Sequence, residues 1–336
     1  MHILVDIPHS SAALARLQAV PGVSLEAIEP TREARELPHD LIRDVEVLLC
    51  RTPPSNHAEM PRLRLVQLSS VGFQQLYGHR FVERGVRACN ARGVYDTPIA
   101  EWNIAMLINL GRDLRGMIRN QDQGRWHTEG RYPHEIRGSV VGLWGYGGIG
   151  RETARLAKAM GLTVHVLTRR PIGPRGDTYA VAGTGDLDGT LPDRTFTAGQ
   201  ELEFLAGLDF LVLAIPLTPA NCGLIGEREL RAMKPSAFLL NPARGPLVEE
   251  AALLRALSEG WFAGAALDTH YYYPMPPDHP LWRLPNVIMT PHVSGSDKGP
   301  HFVSRMWEIA QHNIESFQAG RPLWNELTAA ELNGER

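Results

Sequence analysis

The chain has 336 residues, of which 43% are hydrophobic and 21% are charged, and its formal net charge is −3. This composition is typical of a globular protein, and the length is enough for two domains of ordinary size. The near-neutral charge gives no reason to expect a nucleic acid or an anionic membrane as a partner. No apolar run approaches the roughly 20 residues that a membrane-spanning helix needs.

The cysteines and the N-terminal residues indicate a compartment. Cys50, Cys89 and Cys222 have neither the spacing of a metal site nor that of a redox pair. We therefore expect each cysteine to be a small reduced filler of the interior and we expect no metal site, which fits a cytoplasmic protein. The stretch from Met1 to Asp6 predicts a β-strand and lacks the charged head and long apolar run of a signal peptide.

The first hundred residues predict strands that alternate with helical stretches, as in a small α/β domain. We expect a helix at 11–20 and strands at 3–7, 45–49, 65–68 and 86–90. A second helix is expected from Thr97 to about Met117, with Pro98 in its first turn. Because its apolar residues lie on more than one face, we expect it between layers or at a subunit contact.

From Ser139 onward the sequence predicts repeated β-α-β units. Helices, such as one at 250–258, lie between most of the expected strands, which are 140–144, 163–168, 210–215, 237–240, 263–267 and 287–289. Continuous apolar strands separated by helices predict a parallel sheet that is covered on both faces. The last helix, at about 299–319, is expected to leave this domain and pack on the N-terminal one.

A glycine-rich turn joins the strand at 140–144 to the next helix. Gly145, Gly147 and Gly150 form the pattern Gly-x-Gly-x-x-Gly, with Gly148 and Ile149 between the last two. The first glycine permits a tight turn, the second lets backbone N–H groups approach a pyrophosphate, and the third lets the helix lie close to the strand. The helix N-terminus adds partial positive charge. We expect a dinucleotide site here; the alternative is a purely structural turn.

Three residues at the end of the next strand indicate which nicotinamide cofactor binds. An acidic residue at this position holds the ribose hydroxyls of NAD, but this chain has Thr168, Arg169 and Arg170. Two guanidinium groups can bind a 2′-phosphate, and no carboxylate is present to repel it. We therefore expect NADP(H) to be preferred, with NAD possible. The alternative is two solvated arginines at a strand end.

The segment from Pro171 to Gln200 interrupts the alternation of strands and helices. It is rich in glycine, proline, aspartate and threonine. Loops of this length inside a compact domain are usually functional or mobile. We expect a surface excursion near the cofactor, with no role assigned to it.

Further sequence blocks match a known family. They are Ile215 to Pro219, Asn241 to Val248, Leu267-Asp268, Asp278 to Trp282, Leu284 to Val287 and Thr290 to Gly295. With the glycine-rich turn, and over about residues 45–319, the chain resembles the D-isomer-specific 2-hydroxyacid dehydrogenases. The resemblance implies an α/β fold with two Rossmann-like domains of parallel sheets and an active site in the cleft. It also implies a substrate domain at 1–100 and 291–336, a dinucleotide-binding domain inserted at 101–290, and a homodimer.

The resemblance implies roles for individual residues. Arg244 matches the arginine that binds the substrate carboxylate and polarises the carbonyl, a task suited to a guanidinium fork. His292 matches the histidine that gives a proton to the carbonyl oxygen. The loop that holds the carboxylate through backbone N–H groups is matched by Ser70, Val71 and Gly72. The resemblance also implies cofactor contacts, which are Asp268 near the nicotinamide carboxamide, and Ile215, Pro216 and Ala243.

One position departs from the family pattern. The family usually has a glutamate before a proline, which accepts a hydrogen bond from the catalytic histidine and raises its pKa. This chain has Tyr273 there. We expect Tyr273 to orient His292 but to leave the pKa of His292 lower than in typical members, so that reduction weakens at a lower pH. Tyr273 could instead mark an unusual substrate or a degraded site that only binds the dinucleotide.

The sequence thus predicts an oxidoreductase that reduces a small 2-oxo acid to its D-2-hydroxy acid. Glyoxylate and hydroxypyruvate are the first substrates to expect, by family analogy. Two alternatives stay open. One is an enzyme that oxidises a different donor, as the formate dehydrogenase branch does, and the other is a dinucleotide-sensing binding protein similar to the family's corepressor branch. The presence of both Arg244 and His292 favours chemistry.

Overall fold

A computed structural model describes residues 1–127, 135–295 and 299–334 of the chain. The chain folds into two compact units. The first unit comprises Met1–Val94, Gly176–Val181 and Asp297–Arg336, and the second comprises Tyr95–Arg175 and Ala182–Ser296. Each unit is built on one parallel sheet.

The secondary-structure elements follow the chain in a regular α/β order. From the N-terminus to residue 122 they are β1 (His2–Asp6), α1 (Ser11–Gln18), β2 (Ser24–Ala27), α2 (His39–Ile42), β3 (Val47–Cys50), β4 (Leu65–Leu68), β5 (Arg87–Cys89), α3 (Asp96–Gly111) and α4 (Leu114–Asp122). From residue 140 onward they are β6 (Val140–Trp144), α5 (Gly148–Ala159), β7 (Thr163–Leu167), β8 (Arg194–Phe196), α6 (Glu201–Ala206), β9 (Phe210–Leu213), α7 (Glu227–Ala232), β10 (Phe238–Asn241), α8 (Glu250–Glu259), β11 (Gly264–Leu267), β12 (Val287–Met289), α9 (Pro300–Gln318) and α10 (Ala329–Leu332).

The first unit has a five-stranded sheet in the order β2-β1-β3-β4-β5. Its strands β3 and β4 are fully buried and, apart from Gln67 in β4, apolar, as expected for a parallel sheet that is covered on both faces. The C-terminal helix α9 packs within this unit, where Trp307 Nε1 donates to the carbonyl oxygen of Pro8 at 2.8 Å. Asn313 Nδ2 on the same helix donates to Gln67 Oε1 at 2.7 Å.

The second unit has a seven-stranded parallel sheet in the order β12-β11-β10-β9-β6-β7-β8. Two apolar clusters cover its faces, one around Phe204 and Leu239 and the other around Val164 and Leu240. The strand order reverses at β6, which pairs with β7 on one side and β9 on the other. Ligands of such sheets bind beyond the carboxyl ends of the strands at this reversal. The predicted α/β fold with two parallel sheets is confirmed.

Two strands were missed by the sequence prediction, and both lie at sheet edges. The strand β2 alternates exposed and half-buried residues, and β8 has only one buried residue. Edge strands are shielded on fewer sides, so they need no continuous apolar run. The other predicted strands are present, with ends shifted by a few residues at most.

The prediction of one continuous helix from Thr97 to Met117 is wrong, because the helix is interrupted after Gly111. The structure has two helices there, α3 and α4, which are separated at Asp113. The backbone of Asp113 adopts a left-handed conformation with φ of 48°, which interrupts the helical path. The Asp113 carboxylate then accepts a hydrogen bond from the backbone N–H of Gly116 and caps the start of α4.

The segment from Pro171 to Gln200 is not a surface excursion throughout. Tyr179, Asp186 and Phe196 are buried, and Phe196 belongs to the edge strand β8. The stretch Gly176–Val181 packs within the first unit, where the Tyr179 hydroxyl donates to Glu308 Oε2 at 2.6 Å. Glycine and proline content predicted the irregular backbone, but it gave no sign of these buried anchors.

The cysteines are unpaired thiols in the structure. Cys50 and Cys89 are buried, and burial raises the pKa of the Cys89 thiol to about 12. Cys222 is exposed, so the expectation of a small filler is wrong for this residue.

Candidate active site

The turn after β6 can be built only with glycines at its two ends. Gly145 has a φ of +105°, and a Cβ on it would lie 2.5 Å from the carbonyl oxygen of Ala214. A Cβ on Gly150 would lie 2.5 Å from the carbonyl oxygen of Gly145. A compact loop of three residues therefore joins the end of β6 at Trp144 to the start of α5 at Gly148.

The N-terminus of α5 offers a cradle that fits a dinucleotide pyrophosphate. Gly147 precedes the helix without a side-chain cap, and a Cβ on it would meet no atom within 4 Å. The first N–H groups of the helix, from Gly148 and Ile149, have no intrahelical acceptor. The site therefore has space at Gly147, donors without intrahelical acceptors and the positive end of a 12-residue helix, while the Asp96 carboxylate lies against Gly148.

A buried polar network fastens this turn to the segment after β7. The Tyr146 hydroxyl, between the first two glycines, donates to Asp186 Oδ2 at 2.5 Å. The same carboxylate accepts backbone N–H groups from Gly189 to Leu191. Arg151 on α5 donates to the carbonyl oxygens of Asp186 and Gly173. The segment therefore braces the glycine-rich turn from its outer side.

The end of β7 carries two cationic groups without anionic partners. Thr168 Oγ1 accepts the backbone N–H of Arg170 at 3.3 Å and closes a tight turn. Arg169 and Arg170 are exposed, and neither guanidinium has a hydrogen-bonding partner among the described residues. The site has the charge and the donors that a phosphate group requires.

The remaining residues predicted to bind the cofactor lie just after β9 and β10. Ile215 packs against the glycine-rich turn, since its Cγ2 lies 2.7 Å from where a Cβ on Gly145 would be. The Pro216 carbonyl oxygen accepts from Asn221 Nδ2 at 2.8 Å. The Ala243 N–H donates to Asn241 Oδ1 at 3.1 Å. These residues lie at the same carboxyl edge of the sheet as Gly145.

Arg244 is held at the end of β10 by the side chain of Asn241. Asn241 Oδ1 accepts the backbone N–H of Arg244 at 3.2 Å, and Asn241 Nδ2 donates to its carbonyl oxygen at 2.9 Å. The next residue must be glycine, because a Cβ on Gly245 would lie 2.5 Å from the carbonyl carbon of His270. The backbone is thus fixed, while the Arg244 side chain is exposed and, among the described residues, bonds only to the Ala243 carbonyl oxygen.

Asp268 organises the loop that carries His292. Its side chain is 0% exposed and accepts from Thr290 Oγ1 at 2.6 Å and from the backbone N–H groups of Val293 and Ser294 at 2.9 and 3.0 Å. His292, within this loop, has a positive φ of 56°. The family resemblance implies a place near the nicotinamide for Asp268. In the structure the Asp268 carboxylate oxygens accept hydrogen bonds from the loop that carries His292.

The electrostatic surroundings of His292 disfavour its protonated form. His292 is exposed at the surface of this unit, yet neighbouring protein atoms partly desolvate the imidazole and lower the pKa of His292, and the positive charge of Arg244 lowers it further. Asp268 acts in the opposite direction, and His270 adds a small lowering effect. The influence of Arg244 on His292 means that the two predicted catalytic side chains lie in one electrostatic neighbourhood.

Tyr273 lies beside His292 without a described hydrogen bond to it. The centroids of the two rings are 5.6 Å apart, with planes inclined by 53°. The Tyr273 side chain is 59% exposed, and its hydroxyl oxygen accepts the backbone N–H of His270 at 3.2 Å. Tyr273 therefore packs next to the imidazole but supplies no negative charge to it.

The first unit carries the loop Ser70–Gly72 just beyond β4. The Ser70 hydroxyl donates to the Gly72 carbonyl oxygen at 2.7 Å, and Asn90 Nδ2 donates to the Val71 carbonyl oxygen at 2.8 Å. In the part of the chain that the structure describes, the backbone N–H groups of Val71 and Gly72 have no acceptor. The loop is fixed through its carbonyl oxygens and leaves its donors available.

No group of three or more histidine, cysteine, aspartate or glutamate side chains within 1–127, 135–295 and 299–334 could hold a metal ion. No helix in these ranges is both long enough and apolar enough to cross a membrane.

Comparison with known proteins decides the family. Residues 104–294 match the sequence profile of the D-isomer specific 2-hydroxyacid dehydrogenase, NAD binding domain. The glyoxylate reductase of Thermofilum pendens is 32% identical over 282 residues, which is 81% of this chain and 78% of the relative. The glyoxylate reductase of Thermococcus gammatolerans is 32% identical over 308 residues, which is 87% of each chain. This chain belongs to the D-isomer-specific 2-hydroxyacid dehydrogenase family.

A solved structure agrees with this assignment to the D-2-hydroxyacid dehydrogenases. The NADPH-dependent glyoxylate/hydroxypyruvate reductase from Sinorhizobium meliloti, in complex with citrate, superimposes with a TM-score of 0.71 at 26% identity. The match covers 97% of both chains. The chain is therefore an NAD(P)-dependent oxidoreductase that transfers a hydride between the cofactor and a 2-oxo or 2-hydroxy acid.

Several structural partners in this dehydrogenase were missed by sequence reasoning. His270 is buried, and its Nε2 donates to the Thr290 carbonyl oxygen at 2.8 Å, at the start of the His292 loop. Its position two residues after Asp268 could have drawn attention to it. Asp186 carries no comparable signal, because it lies far along the chain from Tyr146 in a segment without a recognised motif. Asn90 was considered only as the end of a strand.

Proposed function

We propose that this dehydrogenase reduces a small 2-oxo acid to its D-2-hydroxy acid and prefers NADPH. The observation that carries the proposal is the pair Arg244 and His292. The Arg244 guanidinium has no acidic partner among the described side chains, and it acts electrostatically on the His292 imidazole. An exposed cation whose charge acts on a histidine suits a 2-oxo acid, in which a carboxylate adjoins the carbonyl that is reduced.

Substrate binding is assigned to two elements. Arg244 would bind the carboxylate and polarise the carbonyl, and its fixed backbone at the end of β10 limits the reach of the guanidinium fork. The loop Ser70–Gly72 of the first unit would offer its available N–H groups to a substrate carboxylate. Donors that are fixed before the substrate arrives lose little entropy on binding.

Proton transfer is assigned to His292. The protonated imidazole would give its proton to the carbonyl oxygen as that atom gains negative charge. The hydrogen bonds that Asp268 accepts around Thr290 and Val293 keep the histidine in place. Tyr273 would guide the ring by packing alone, since it contributes no charge.

Cofactor binding is assigned to the carboxyl edge of the seven-stranded sheet. A bound NADPH supplies the hydride. The turn Gly145–Gly150 would hold its pyrophosphate. The turn formed by Thr168, Arg169 and Arg170 would bind the 2′-phosphate. Ile215, Pro216, Ala243 and Asp268 would line the remainder of the cofactor path, Asp268 through the loop that it holds.

Substrate choice, assembly and compartment are further parts of the proposal. Glyoxylate and hydroxypyruvate are the first candidates, because relatives of comparable length carry these names. We also propose a homodimer. A cytoplasmic location is proposed from the unpaired cysteines, since disulfides are rare in that compartment.

The deciding experiment follows NADPH oxidation with glyoxylate, hydroxypyruvate, pyruvate and longer 2-oxo acids, with NADH in parallel. His292→Ala is expected to lower kcat/KM about 10²- to 10⁴-fold, the range for a lost general acid. Arg244→Ala is expected to lower it at least about tenfold, while Arg244→Lys recovers part of the loss. The controls are the exposed residues Arg16 and His39, changed to glutamine. NADPH binding without turnover of any acid would favour a different donor or a sensor.

A further inference from the structure

The carboxylate-binding loop of the first unit is connected to a second cation. Asn90 directly follows β5, and its side chain is 1% exposed. Asn90 Nδ2 donates to the Val71 carbonyl oxygen at 2.8 Å, while Asn90 Oδ1 accepts from both the backbone N–H and the Nε of Arg92 at 3.2 Å. One buried amide thus holds the loop and the Arg92 guanidinium together.

The amide bridge is itself firmly held. Gln67 Nε2 donates to the Asn90 carbonyl oxygen at 3.2 Å, and Asn325 Nδ2 donates to the same oxygen at 3.1 Å. Asn325 Nδ2 also donates to the Arg92 carbonyl oxygen at 2.9 Å. Buried and satisfied amide networks of this kind fix one arrangement of the backbone. The backbone of Arg92 is therefore rigidly held.

The guanidinium of Arg92 has donors to spare. It is partly buried, and apart from the bond from Nε it has no acceptor or acidic partner among the described residues. Two other partly buried arginines of this unit do have acidic partners, Arg35 with Asp6 and Arg87 with Glu326. Because Nε is taken, the Nη1 and Nη2 groups are left as a fork of the kind that binds carboxylate or phosphate. A partly desolvated charge without a partner is costly unless a ligand supplies one.

Arg92 also lies at the edge of the sheet that is formed by the carboxyl ends of the strands. The strands β4 and β5 are parallel neighbours, so Ser70 and Asn90 both follow the carboxyl ends of adjacent strands, where ligands of such sheets bind. The two polar atoms of an amide are about 2.3 Å apart. Arg92 Nε is consequently no more than about 8 Å from the Val71 carbonyl oxygen.

We propose that Arg92 determines specificity by binding a second anionic group of the substrate, a carboxylate or a phosphate. The reacting carboxylate would take the N–H groups of Val71 and Gly72, and the distal anion would take the Nη atoms of Arg92. The enzyme would then favour dianionic 2-oxo acids over monoanionic acids of the same length. This inference rests on the proposed function, since it concerns the same substrate.

Matched acids test the inference. The ratio of kcat/KM for 2-oxoglutarate to that for 2-oxopentanoate compares a distal carboxylate with a methyl group on the same chain. The ratio for 3-phosphohydroxypyruvate to hydroxypyruvate does the same for phosphate. We expect at least one ratio above about tenfold in the wild type, falling about 10- to 100-fold in Arg92→Gln through KM. Arg92→Lys should recover part of it, and the control Arg16→Gln should leave both ratios unchanged.

The outcomes separate this inference from the proposed function. If 2-oxopentanoate or hydroxypyruvate is reduced but neither ratio exceeds one, or if Arg92→Gln leaves the ratios as they are, the role of Arg92 is wrong and the reductase activity stands. If no acid is reduced, isothermal titration calorimetry on the NADP⁺-saturated enzyme can measure the affinities for succinate and butyrate instead. Succinate should then bind more tightly than butyrate in the wild type and lose that advantage in Arg92→Gln. Equal affinities in the wild type would overturn the inference.

Discussion

At the scale of single residues, the surroundings of His292 control when it is charged. Desolvation of the imidazole and the charge of Arg244 lower the pKa of His292, and within the described residues Asp268 acts against them. Reduction needs the imidazolium, because the carbonyl oxygen must receive a proton. The protonated fraction falls as pH rises through the pKa. A pKa below the ordinary value of about 6.5 therefore moves the decline of kcat/KM to lower pH.

The substitution Tyr273→Glu tests this dependence. A carboxylate beside the imidazole would stabilise the imidazolium and raise the pKa of His292 by about one unit or more. The plot of kcat/KM for reduction against pH should shift to higher pH by the same amount. Tyr273→Phe and Tyr273→Gln are matched controls, since they add no charge and should not shift it. An unshifted profile in Tyr273→Glu would show that this position does not act on the catalytic proton.

A second prediction concerns the arginines after β7. Neither Arg169 nor Arg170 has a partner among the described residues, so a 2′-phosphate would be their first anion. Arg169→Ala should raise KM for NADPH about tenfold or more and leave KM for NADH nearly unchanged, because NADH lacks that phosphate. The double substitution with Arg170→Ala should enlarge the difference. Equal effects on the two cofactors would be evidence against a phosphate site.

At the scale of elements, the segment after β7 stabilises the glycine-rich turn. The Tyr146 hydroxyl donates to Asp186, which lies 40 residues further along the chain. Arg151, in the first turn of α5, donates to the Asp186 carbonyl oxygen and lies over the Tyr146 ring. The Asp186 carboxylate accepts several hydrogen bonds, which hold its pKa below the usual range despite its burial. The segment thus fixes the pyrophosphate loop before the cofactor arrives, and this lowers the entropy lost on binding.

Removing one hydroxyl tests this brace. Tyr146→Phe should weaken binding of both NADPH and NADH about three- to tenfold, because the turn loses a hydrogen bond to a charged acceptor. Asp186→Asn should act in the same direction. Fluorescence titration gives the dissociation constants, and Tyr77→Phe on the exposed surface of the first unit serves as the control. A lower melting temperature with unchanged dissociation constants would limit the network to a purely structural role.

The elements also illustrate what the sequence can and cannot predict. The strands β4, β6 and β12 were predicted to the residue, because buried parallel strands are continuous apolar runs between turn signals. The left-handed Asp113 and the edge strand β8 left no such pattern, since local backbone geometry and edge pairing depend on neighbours distant in sequence. The same holds for the site. Motifs pointed to Arg244 and His292, whereas partners such as His270 and Asn90 are defined only by tertiary contacts.

At the scale of the whole molecule, the second unit leaves a marked apolar surface uncovered. Ile118 on α4 is 55% exposed, and Trp126, shortly after this helix, is 96% exposed. A shallow cavity of this unit is lined by Ile118, Trp282, Ile288, Met289 and three polar residues, Asn109, Arg115 and Arg119. Exposed aromatic and arginine side chains are enriched at protein interfaces. An apolar patch of this kind on a monomer is unusual unless it binds something.

The homodimer proposed here would cover this surface. Light scattering after size exclusion should give twice the mass of one chain for the wild type over a wide range of protein concentrations. Ile118→Asp, combined with Trp126→Ser, should give the mass of a single chain, because a desolvated charge without a partner costs several kcal/mol in an interface core. The control is Leu202→Asp on α6, an exposed leucine outside this surface, which should stay dimeric. A wild type that is monomeric at every concentration would contradict the dimer, and a variant that stays dimeric would move the interface elsewhere.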